Sequence, residues 1–423
     1  MADPTSTWQE PTFETITKTE ALDKLFALWR PEPTIELVPL AQAAGRILAI
    51  DQVAHLTLPV VRASKMDGYA VRSADFSVSS GTPDAAATPL PDTTDWRYGE
   101  NYVRADTGDD FDDRFDAVVR VEDVRIAEDG HLLFAENLEI QPGTGVNPAG
   151  SQVCPGNLLA RAGLPLRAYD LAMLAMGGVS EPSCIRKPRV GFIPTGSELV
   201  PAGSTPERGQ NIDSGSVLAE AALCELGAEP LIHPIVIDDL ALIETALNEL
   251  LPHCDILLLS GGSSKGLEDY SASLLKQRGE LICHGVLAAP GRPTCIAIID
   301  GKPVVNVSGP VLALYHELEW LVAPLVARAL GVPTRRRPSV RAPLTADIAM
   351  RPFPDGRVMQ LFHRLSVSSK DGALVAAPLG SQRGKSGPPL LPNAQFLNPL
   401  GTALYPAGSE LEVELLYPLE FID

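Results

Sequence analysis

The sequence predicts a multidomain fold that combines a central parallel α/β domain with a helical linker region, a small β domain and a C-terminal β-barrel. At 423 residues the chain is too long for one hydrophobic core. Apolar strands alternate with helical segments between residues 184 and 332, and short β-rich stretches occur both before and after that region. The 35 glycines and 38 prolines favour short elements that are connected by defined turns.

Changes of pattern along the chain set the predicted boundaries. Apolar residues recur at helical spacing over residues 21–28, Pro31 ends this run, and a second periodic piece follows at residues 40–48. Residues 117–121 form one of several β-rich stretches, and residues 410–415 alternate with the period of a strand. We predict a helical linker region at residues 1–50 and 146–183, a small β domain at 51–145, the α/β domain at 184–332 and the β-barrel domain at 333–423.

The α/β domain is predicted from its alternating elements. A helix at residues 214–226 has Asp213 or Ser214 as its N-cap, and Gly227 closes it. The near-continuous apolar run at residues 256–260 is typical of a strand that is buried on both faces. This alternation implies a parallel sheet with helices on both faces. The further predicted strands are residues 190–194, 231–237, 294–299 and 304–307, and the further helices are residues 240–251, a segment that starts near residue 269, and residues 310–330.

The formal net charge of the chain is −19, from 53 acidic and 34 basic residues. This balance argues against nucleic acid as a partner, because phosphate backbones require clustered Lys and Arg. The polar residues 1–20 contain no apolar signal core, and no run of about 18 apolar residues occurs, so we expect a cytoplasmic protein with no membrane partner. The six cysteines never form a C-x-x-C pair, so we expect most of them to be reduced and buried.

Turns rich in glycine and polar residues follow several predicted strands of the α/β domain. Open α/β sheets bind ligands at the carboxyl ends of their strands, so these turns predict a site at one edge of the sheet. Glycines let backbone N–H groups approach a phosphate, and serine hydroxyls with a helix N-terminus complete an anion cradle. The turns are TGSEL at residues 195–199, Asp238 with Asp239, SGGSSKG at residues 260–266 followed by Asp269, and VSGP at residues 307–310.

Three acidic residues of these turns, Glu198, Asp238 and Asp269, would be repelled by a phosphate unless a divalent cation joined them. They therefore suggest a Mg²⁺ ion that bridges to phosphate oxygens. Taken singly, Asp269 is better explained as a helix N-cap and Asp238 as a turn residue. Taken together at neighbouring strand ends, the three favour a site. In the β domain, the run KMDGYAV at residues 65–71 is also compatible with an ordinary turn before a strand.

Several segments, in the same order along the chain, resemble the MoeA/gephyrin-E family, whose members insert molybdenum into molybdopterin. The run SKMDGYAVR at residues 64–72 is similar to the family's SAMDGYAV, and TGSEL at residues 195–199 to its T-G-D/S-E-L. The run SGGSSKGLEDY at residues 260–270 is similar to the family's S-G-G-V-S-V-G-x-x-D-Y. Further similar segments are DTG at residues 106–108, QNIDS at residues 210–214 and PGRP at residues 290–293.

The resemblance implies a reaction in which adenylylated molybdopterin and molybdate, the two substrates, give molybdenum cofactor and AMP with the help of Mg²⁺. It implies that the α/β domain is a MogA-like, molybdopterin-binding domain. It also implies a homodimer in which the β domain of the partner subunit closes the cleft. A molybdopterin adenylyltransferase and molybdoenzyme clients are further candidate partners.

The resemblance also assigns roles position by position. Glu198, Asp238 and Asp269 would serve the metal and the phosphoanhydride, and Asp67 and Thr107 would reach in from the partner subunit. Arg364 and Ser386 fall near the family's molybdate-contacting Arg and Ser. The predicted phosphate- or nucleotide-binding residues are Thr195, Gly196, Ser260, Gly261, Gly262, Ser308 and Gly309.

The sequence departs from the family where the family's K-x-x-x-K-P-G-K-P places lysines facing molybdate and phosphate. Here residues 285–293 read GVLAAPGRP, so two lysines are absent and the third is Arg292. Each charge-assisted hydrogen bond contributes about 1.5–3 kcal/mol, so this loss would weaken oxyanion binding. We hypothesise that Lys265 and Arg292 rebuild part of the anion site. The alternative, that Lys265 is a solvated loop lysine, carries equal weight.

Two functions from different classes follow. The first is an enzyme that binds adenylylated molybdopterin and inserts molybdate or tungstate with release of AMP; the second is a catalytically weakened paralogue that carries the pterin nucleotide or scaffolds assembly. The absent lysines favour the second. The retained Asp67, Glu198 and Asp269 favour the enzyme, because a binding module has little use for carboxylates near a phosphoanhydride. We predict the enzyme; the choice between molybdate and tungstate stays open because the two ions match in size and charge.

Overall fold

The structure is a computed structural model that describes residues 15–76, 90–136, 138–261, 270–350, 352, 356, 358–379 and 392–422. The chain divides into two compact units. We call Ile35–Ile185 the inserted unit, and Met1–Thr34 with Arg186–Asp423 the main unit. The four domain boundaries given above remain predictions. None of the helices in the described residues has the length and apolar character needed to span a membrane.

The first described helix is α1 (Lys18–Leu28), which belongs to the main unit. A capping box between Thr17 and Glu20 closes its N-terminus, and Ala21 and Leu25 are buried on one face. The prediction of a helix at residues 21–28 is therefore confirmed. The second periodic piece forms only the 3₁₀ turn Leu40–Gln42.

The inserted unit is built from short strands and one helix. Strand β4 is the centre of a three-stranded antiparallel sheet with β5 and β6, and β1 pairs with β11 so that the two ends of the unit meet. The elements are β1 (Ile35–Leu37), β2 (Gln52–Val53), β3 (Ala63–Ser64), β4 (Gly68–Val71), β5 (Tyr102–Ala105), β6 (Ala117–Arg120), β7 (Val124–Ile126), β8 (Leu132–Phe134), β9 (Val146–Asn147), β10 (Leu158–Ala160), α2 (Ala168–Met176) and β11 (Ser183–Ile185).

The α/β part of the main unit contains a six-stranded sheet of order β15-β12-β16-β20-β19-β17. All five residues of β16 are buried, as the apolar run predicted. The elements are β12 (Arg189–Pro194), β13 (Leu199–Val200), β14 (Asn211–Ile212), α3 (Ser214–Glu225), β15 (Glu229–Ile232), α4 (Leu240–Leu250), β16 (Ile256–Ser260), α5 (Tyr270–Arg278), β17 (Glu280–His284), β18 (Ala288–Ala289), β19 (Cys295–Ile299), β20 (Lys302–Val307), α6 (Val311–Glu317) and α7 (Ala323–Leu330).

The prediction of a parallel sheet holds for β15, β12, β16 and β20 and is wrong for the other two strands. Strands β19 and β20 are antiparallel, and so are β17 and β19. Asp300 and Gly301, both with positive φ (51° and 74°), form the tight turn between β19 and β20. A two-residue turn of this kind joins antiparallel strands, because a parallel connection needs a crossover of a dozen or more residues.

The predicted helix at residues 310–330 is interrupted. A π-helical turn, Leu318–Val322, separates α6 from α7, and Gly331 ends α7 in the left-handed conformation. Pro324 explains the interruption, because a proline has no N–H for the hydrogen bond to the preceding turn. The neighbouring helix α3 begins at the predicted N-cap Asp213, whose carboxylate accepts from the N–H of Ser216.

The C-terminal strands form a second sheet, of order β18-β23-β25-β27-β21, with β24 paired to β23. Burial alternates along β27, as predicted from its period-two pattern. One bridge joins Leu344 to Ala376, but a closed barrel is not found among the described residues. The strands are β21 (Ser339–Pro343), β22 (Ile348–Ala349), β23 (Gln360–Lys370), β24 (Ala373–Pro378), β25 (Ala394–Leu397), β26 (Leu404–Tyr405) and β27 (Glu410–Leu415).

The prediction that most cysteines are buried is confirmed. Cys184, Cys254, Cys283 and Cys295 are buried, whereas Cys224 is exposed. Burial raises the pKa of the Cys283 thiol to about 12, so this side chain acts as a small apolar residue.

Candidate functional site

The carboxyl ends of β12, β16 and β20 lie side by side and bring predicted turns together. The N–H of Thr195 donates to the carbonyl of Ser260 at 2.8 Å, and the N–H of Gly261 donates to the carbonyl of Val307 at 3.1 Å. The Thr195 hydroxyl donates to the same Ser260 carbonyl at 2.9 Å. This edge of the sheet therefore collects the predicted cofactor-binding residues Thr195, Gly196, Ser260, Gly261, Ser308 and Gly309.

Position 261 requires a glycine for two reasons, its backbone conformation and the close approach of Thr195. Its φ is +105°, and a Cβ at this position would lie 2.6 Å from both the carbonyl oxygen and the hydroxyl of Thr195. A Cβ on Gly309 would lie 3.9 Å from the Gly261 Cα, so the two turns are neighbours. Only glycine allows this close approach of the backbones.

Asn306 holds the turn after β16 in place and was not singled out from the sequence. Its side chain is fully buried, and its amide donates to the carbonyls of Leu259 at 3.1 Å and Gly261 at 2.7 Å. The sequence signal for this role was the asparagine within the apolar run of β20, because a buried polar side chain must find hydrogen-bond partners.

Ser197 links the turn after β12 to the segment that carries Asp238. The N–H of Ser197 donates to the Asp238 carboxylate at 3.1 Å, and the N–H of Asp238 donates to the Ser197 hydroxyl at 3.1 Å. Glu198 follows directly and is exposed, as is Asp238. Two predicted metal-binding carboxylates therefore belong to connected turns.

The chemistry of these carboxylates fits Mg²⁺, which binds oxygen ligands and usually takes one or two carboxylates together with substrate phosphates. Within the described ranges, no group of three or more candidate metal ligands occurs. The third predicted ligand, Asp269, lies outside the described residues, and so do Gly262, Lys265 and Ser386.

Glu317 connects the turn after β20 to the loop that contains Arg292. Its carboxylate is fully buried and accepts from the N–H of Ser308 at 2.7 Å, the Ser308 hydroxyl at 2.9 Å and the Thr294 hydroxyl at 2.7 Å. Burial raises the pKa of Glu317 to about 7, against the opposing effect of these hydrogen bonds. Glu317 was not predicted from the sequence, because helical spacing does not distinguish it from a surface glutamate.

In the inserted unit the structure brings Asp67 and Thr107 together. The Asp67 carboxylate accepts from the backbone N–H of Thr107 at 2.7 Å and from its hydroxyl at 2.8 Å. These hydrogen bonds lower the pKa of Asp67, the backbone bond most, so this exposed group is a carboxylate at neutral pH.

Arg364 lies on β23 with its side chain half-buried. His316 on α6 stacks on Phe362 of the same strand, with ring centroids 3.8 Å apart. Burial lowers the pKa of His316 to about 3, with further contributions from the positive charges of Lys18 and Arg364. His316 is therefore neutral at neutral pH, and the basic side chains of Lys18 and Arg364 lie near it.

Two family descriptions cover most of the chain. Residues 16–178 match the MoeA N-terminal region (domain I and II), and residues 191–328 match a "Probable molybdopterin binding domain". A molybdopterin molybdenumtransferase of Haemophilus influenzae is 30% identical over 311 residues, covering 73% of this chain and 76% of that protein. The chain belongs to the MoeA family.

Further MoeA relatives extend this similarity along the chain. A molybdopterin molybdenumtransferase of Bacillus subtilis is 28% identical over 390 residues, which cover 90% of each protein. The crystal structure of the molybdopterin biosynthesis MoeA protein from Pyrococcus horikosii superposes with a TM-score of 0.72 at 26% identity. It covers 96% of this chain and all of that one, so the MoeA fold extends through both units.

Residues 285–293 align with the segment in which the MoeA-family motif given above has lysines. The segment contains no lysine, and its one basic residue is Arg292, whose carbonyl accepts from the N–H of Val286 at 2.9 Å. Strand β18, within this segment, pairs with β23, which carries Arg364. The loop therefore adjoins the strand of a second basic residue.

Proposed function

We propose that this protein is a molybdopterin molybdenumtransferase of molybdenum cofactor biosynthesis, which binds adenylylated molybdopterin and inserts molybdate or tungstate with release of AMP. The observation that carries the proposal is the meeting of the glycine- and serine-bearing turns after β12, β16 and β20 at one edge of the sheet. The curated relatives are named as transferases, which favours this function over that of a carrier or scaffold.

In this proposal the turns at this edge bind the phosphates of the nucleotide. The hydroxyls of Thr195, Ser260 and Ser308 hold the turns together by hydrogen bonds within the protein, and the glycines let the ligand approach the backbone. Glu198 and Asp238 would hold Mg²⁺, together with Asp269. Bound Mg²⁺ would neutralise the charge that develops on the phosphoanhydride as AMP leaves.

Asp67 and Thr107 act, in this proposal, at the site of a partner subunit. The supporting observation is that two hydrogen bonds from Thr107 hold the exposed Asp67 carboxylate in one orientation. We therefore propose a homodimer. We also propose a C-terminal β-barrel domain, a molybdopterin adenylyltransferase as donor of the nucleotide and molybdoenzymes as clients.

The proposal is tested by incubating the purified protein with adenylylated molybdopterin and Mg²⁺, with and without molybdate or tungstate, and following AMP. We expect AMP release that depends on the oxyanion. Tight nucleotide binding without release would support the carrier instead. Glu198→Gln should slow release by about ten- to a hundredfold, the effect of losing one charge-assisted interaction.

A further inference from the structure

Lys18, the first residue of α1, is a buried lysine. The residue is 6% exposed, and its Nζ has no hydrogen-bond partner in the described part of the chain. Burial lowers the pKa of the Lys18 ammonium to about 7, and Glu317 opposes this shift from a distance. A buried cation without a contacting anion is costly, so its retention needs an explanation.

Glu317 does not supply the missing contact. Both of its oxygens already accept hydrogen bonds from Thr294 and Ser308, and no ion pair joins it to Lys18 in the described residues. The Lys18 Nζ instead lies over two rings, 4.4 Å from the centroid of Phe362 and 5.3 Å from that of Trp320. Aromatic faces attract a cation but leave its N–H groups unpaired.

The side chains around Lys18 offer further donors. The indole N–H of Trp320 and both ring nitrogens of His316 are buried and have no partner in the described structure. A neutral histidine has one N–H to donate, and an indole can only donate. Arg364 adds a second positive charge near His316. We call Lys18, His316, Trp320 and Arg364 the donor cluster.

The chain also holds Lys18 against the segment that lacks lysines. Ile16 forms a parallel bridge with Val286: its N–H donates to the Gly285 carbonyl, and its carbonyl accepts from the N–H of Leu287 at 2.8 Å. Two residues later, Lys18 reaches the ring of Phe362 on β23, the strand that pairs with β18. The backbone hydrogen bonds of Ile16 to residues 285–287 therefore hold the start of α1, and with it Lys18, in position.

We propose that the donor cluster is the oxyanion site of this protein, in which Lys18 binds a tetrahedral dianion such as molybdate or tungstate. The inference rests on the proposed function for the identity of the anion. The sequence did not indicate a role for Lys18, because this residue is distant in the sequence from residues 285–293. The bridge between Ile16 and Val286 brings the two segments together. A dianion here supplies the contact that Lys18 lacks.

Binding of [⁹⁹Mo]molybdate by equilibrium dialysis, without adenylylated molybdopterin so that no turnover occurs, tests the inference. Lys18→Met removes the charge and keeps the length of the side chain. We expect it to weaken molybdate binding by about ten- to a hundredfold, the loss of one charge-assisted hydrogen bond. Because burial of a thioether is less costly than burial of a cation, the thermal midpoint should be unchanged or higher. Lys24→Met, at an exposed position of the same helix, is the matched control.

Lys18→Arg, which restores the charge, should recover much of the affinity that Lys18→Met loses. Competition with unlabelled tungstate, sulfate and phosphate identifies the anion: displacement by tungstate alone supports a molybdate or tungstate site, and equal displacement by phosphate would overturn that assignment. The nucleotide affinity of Lys18→Met should equal that of the wild type.

Two negative results have different meanings. If the wild type binds molybdate and Lys18→Met binds it equally well, Lys18 has only a packing role and the inference fails while the proposed function stands. If the wild type binds no molybdate and releases no AMP, the proposed function fails and the inference fails with it.

Discussion

At the scale of single residues, a buried carboxylate is the structural centre of the site. Glu317 accepts hydrogen bonds from the turn after β20 and from the loop at Thr294, and so joins two segments that are distant in the sequence. Its environment raises its pKa from 4.5 to about 7. A folded-state pKa above the unfolded value gives stability that is fully present below the unfolded pKa and is lost as pH rises through the folded one.

Glu317→Gln therefore tests the protonation of this group. The free energy of unfolding of the wild type, relative to that of Glu317→Gln, should fall as pH rises from about 4.5 to 7. Urea unfolding at several pH values measures this difference. Lys18, whose folded-state pKa is also about 7, begins to lose its charge near the upper end of this window, so the fall between pH 4.5 and about 6 reports on Glu317. The effect of neutral His316 cancels in the comparison.

A constant difference between the two proteins across pH 4.5–7 would contradict the raised pKa of Glu317. Glu317→Ala provides a second check, since it leaves the N–H and the hydroxyl of Ser308 without their acceptor in the interior. It should destabilise the main unit by about 3–5 kcal/mol, the usual cost of breaking a buried charged network.

Thr107 should control the ionisation of Asp67. Thr107→Val removes the hydroxyl donor and keeps the stronger backbone donor, so the pKa of Asp67 should rise and still lie below its ordinary value. Carbon-13 NMR titration of labelled aspartates measures the shift, and Asp67→Asn identifies the resonance. An unchanged Asp67 titration in Thr107→Val would show that the hydroxyl bond has no influence.

At the scale of elements, the strand-end turns were predictable because glycine and serine at the carboxyl ends of apolar strands have a direct physical meaning. The antiparallel direction of β19 and β20 was missed, because the pattern of buried strands alone does not show strand direction. The Asp300–Gly301 pair was the sequence signal that could have revealed the hairpin. The interruption between α6 and α7 was signalled by Pro324, which hydrophobic spacing alone overlooks.

Gly261→Ala tests the close approach of the turns. A Cβ would meet Thr195 at 2.6 Å in a backbone with φ of +105°, so we expect a loss of about 2–3 kcal/mol from strain and overlap, and weaker nucleotide binding. Gly408→Ala is the matched control: its φ is +84°, and nothing lies within 4 Å of its Cβ position. It should lose about 1 kcal/mol and keep its nucleotide affinity.

For both glycine variants, calorimetry measures the nucleotide affinity and urea unfolding measures the free energy of unfolding. Equal losses of stability in Gly261→Ala and Gly408→Ala would show that backbone strain alone matters, and that Thr195 does not constrain the turn.

At the scale of the whole molecule, the order of the motifs predicted the family, and the relatives confirm it. The contacts of Asn306, Glu317 and Lys18 could not be predicted, because most of them join segments that are separated in the sequence. Such contacts depend on the tertiary fold, and no local pattern encodes them.

The proposed homodimer makes a prediction about subunit mixing. If Asp67 acts at the site of the partner subunit, Asp67→Asn and Glu198→Gln impair different halves of a shared site. Mixing the two impaired proteins under conditions of subunit exchange should then raise the rate of AMP release above that of either variant alone. Failure to recover activity, after exchange is verified by mass spectrometry, would place Asp67 outside the partner's site.

The most direct measurement of the central claim is the ratio of AMP released to molybdenum transferred to the pterin in a single turnover. A molybdopterin molybdenumtransferase predicts that AMP and pterin-bound molybdenum appear together, in equal amounts, and only when molybdate is present. AMP release at the same rate without molybdate, or bound nucleotide that is never cleaved, would contradict the account.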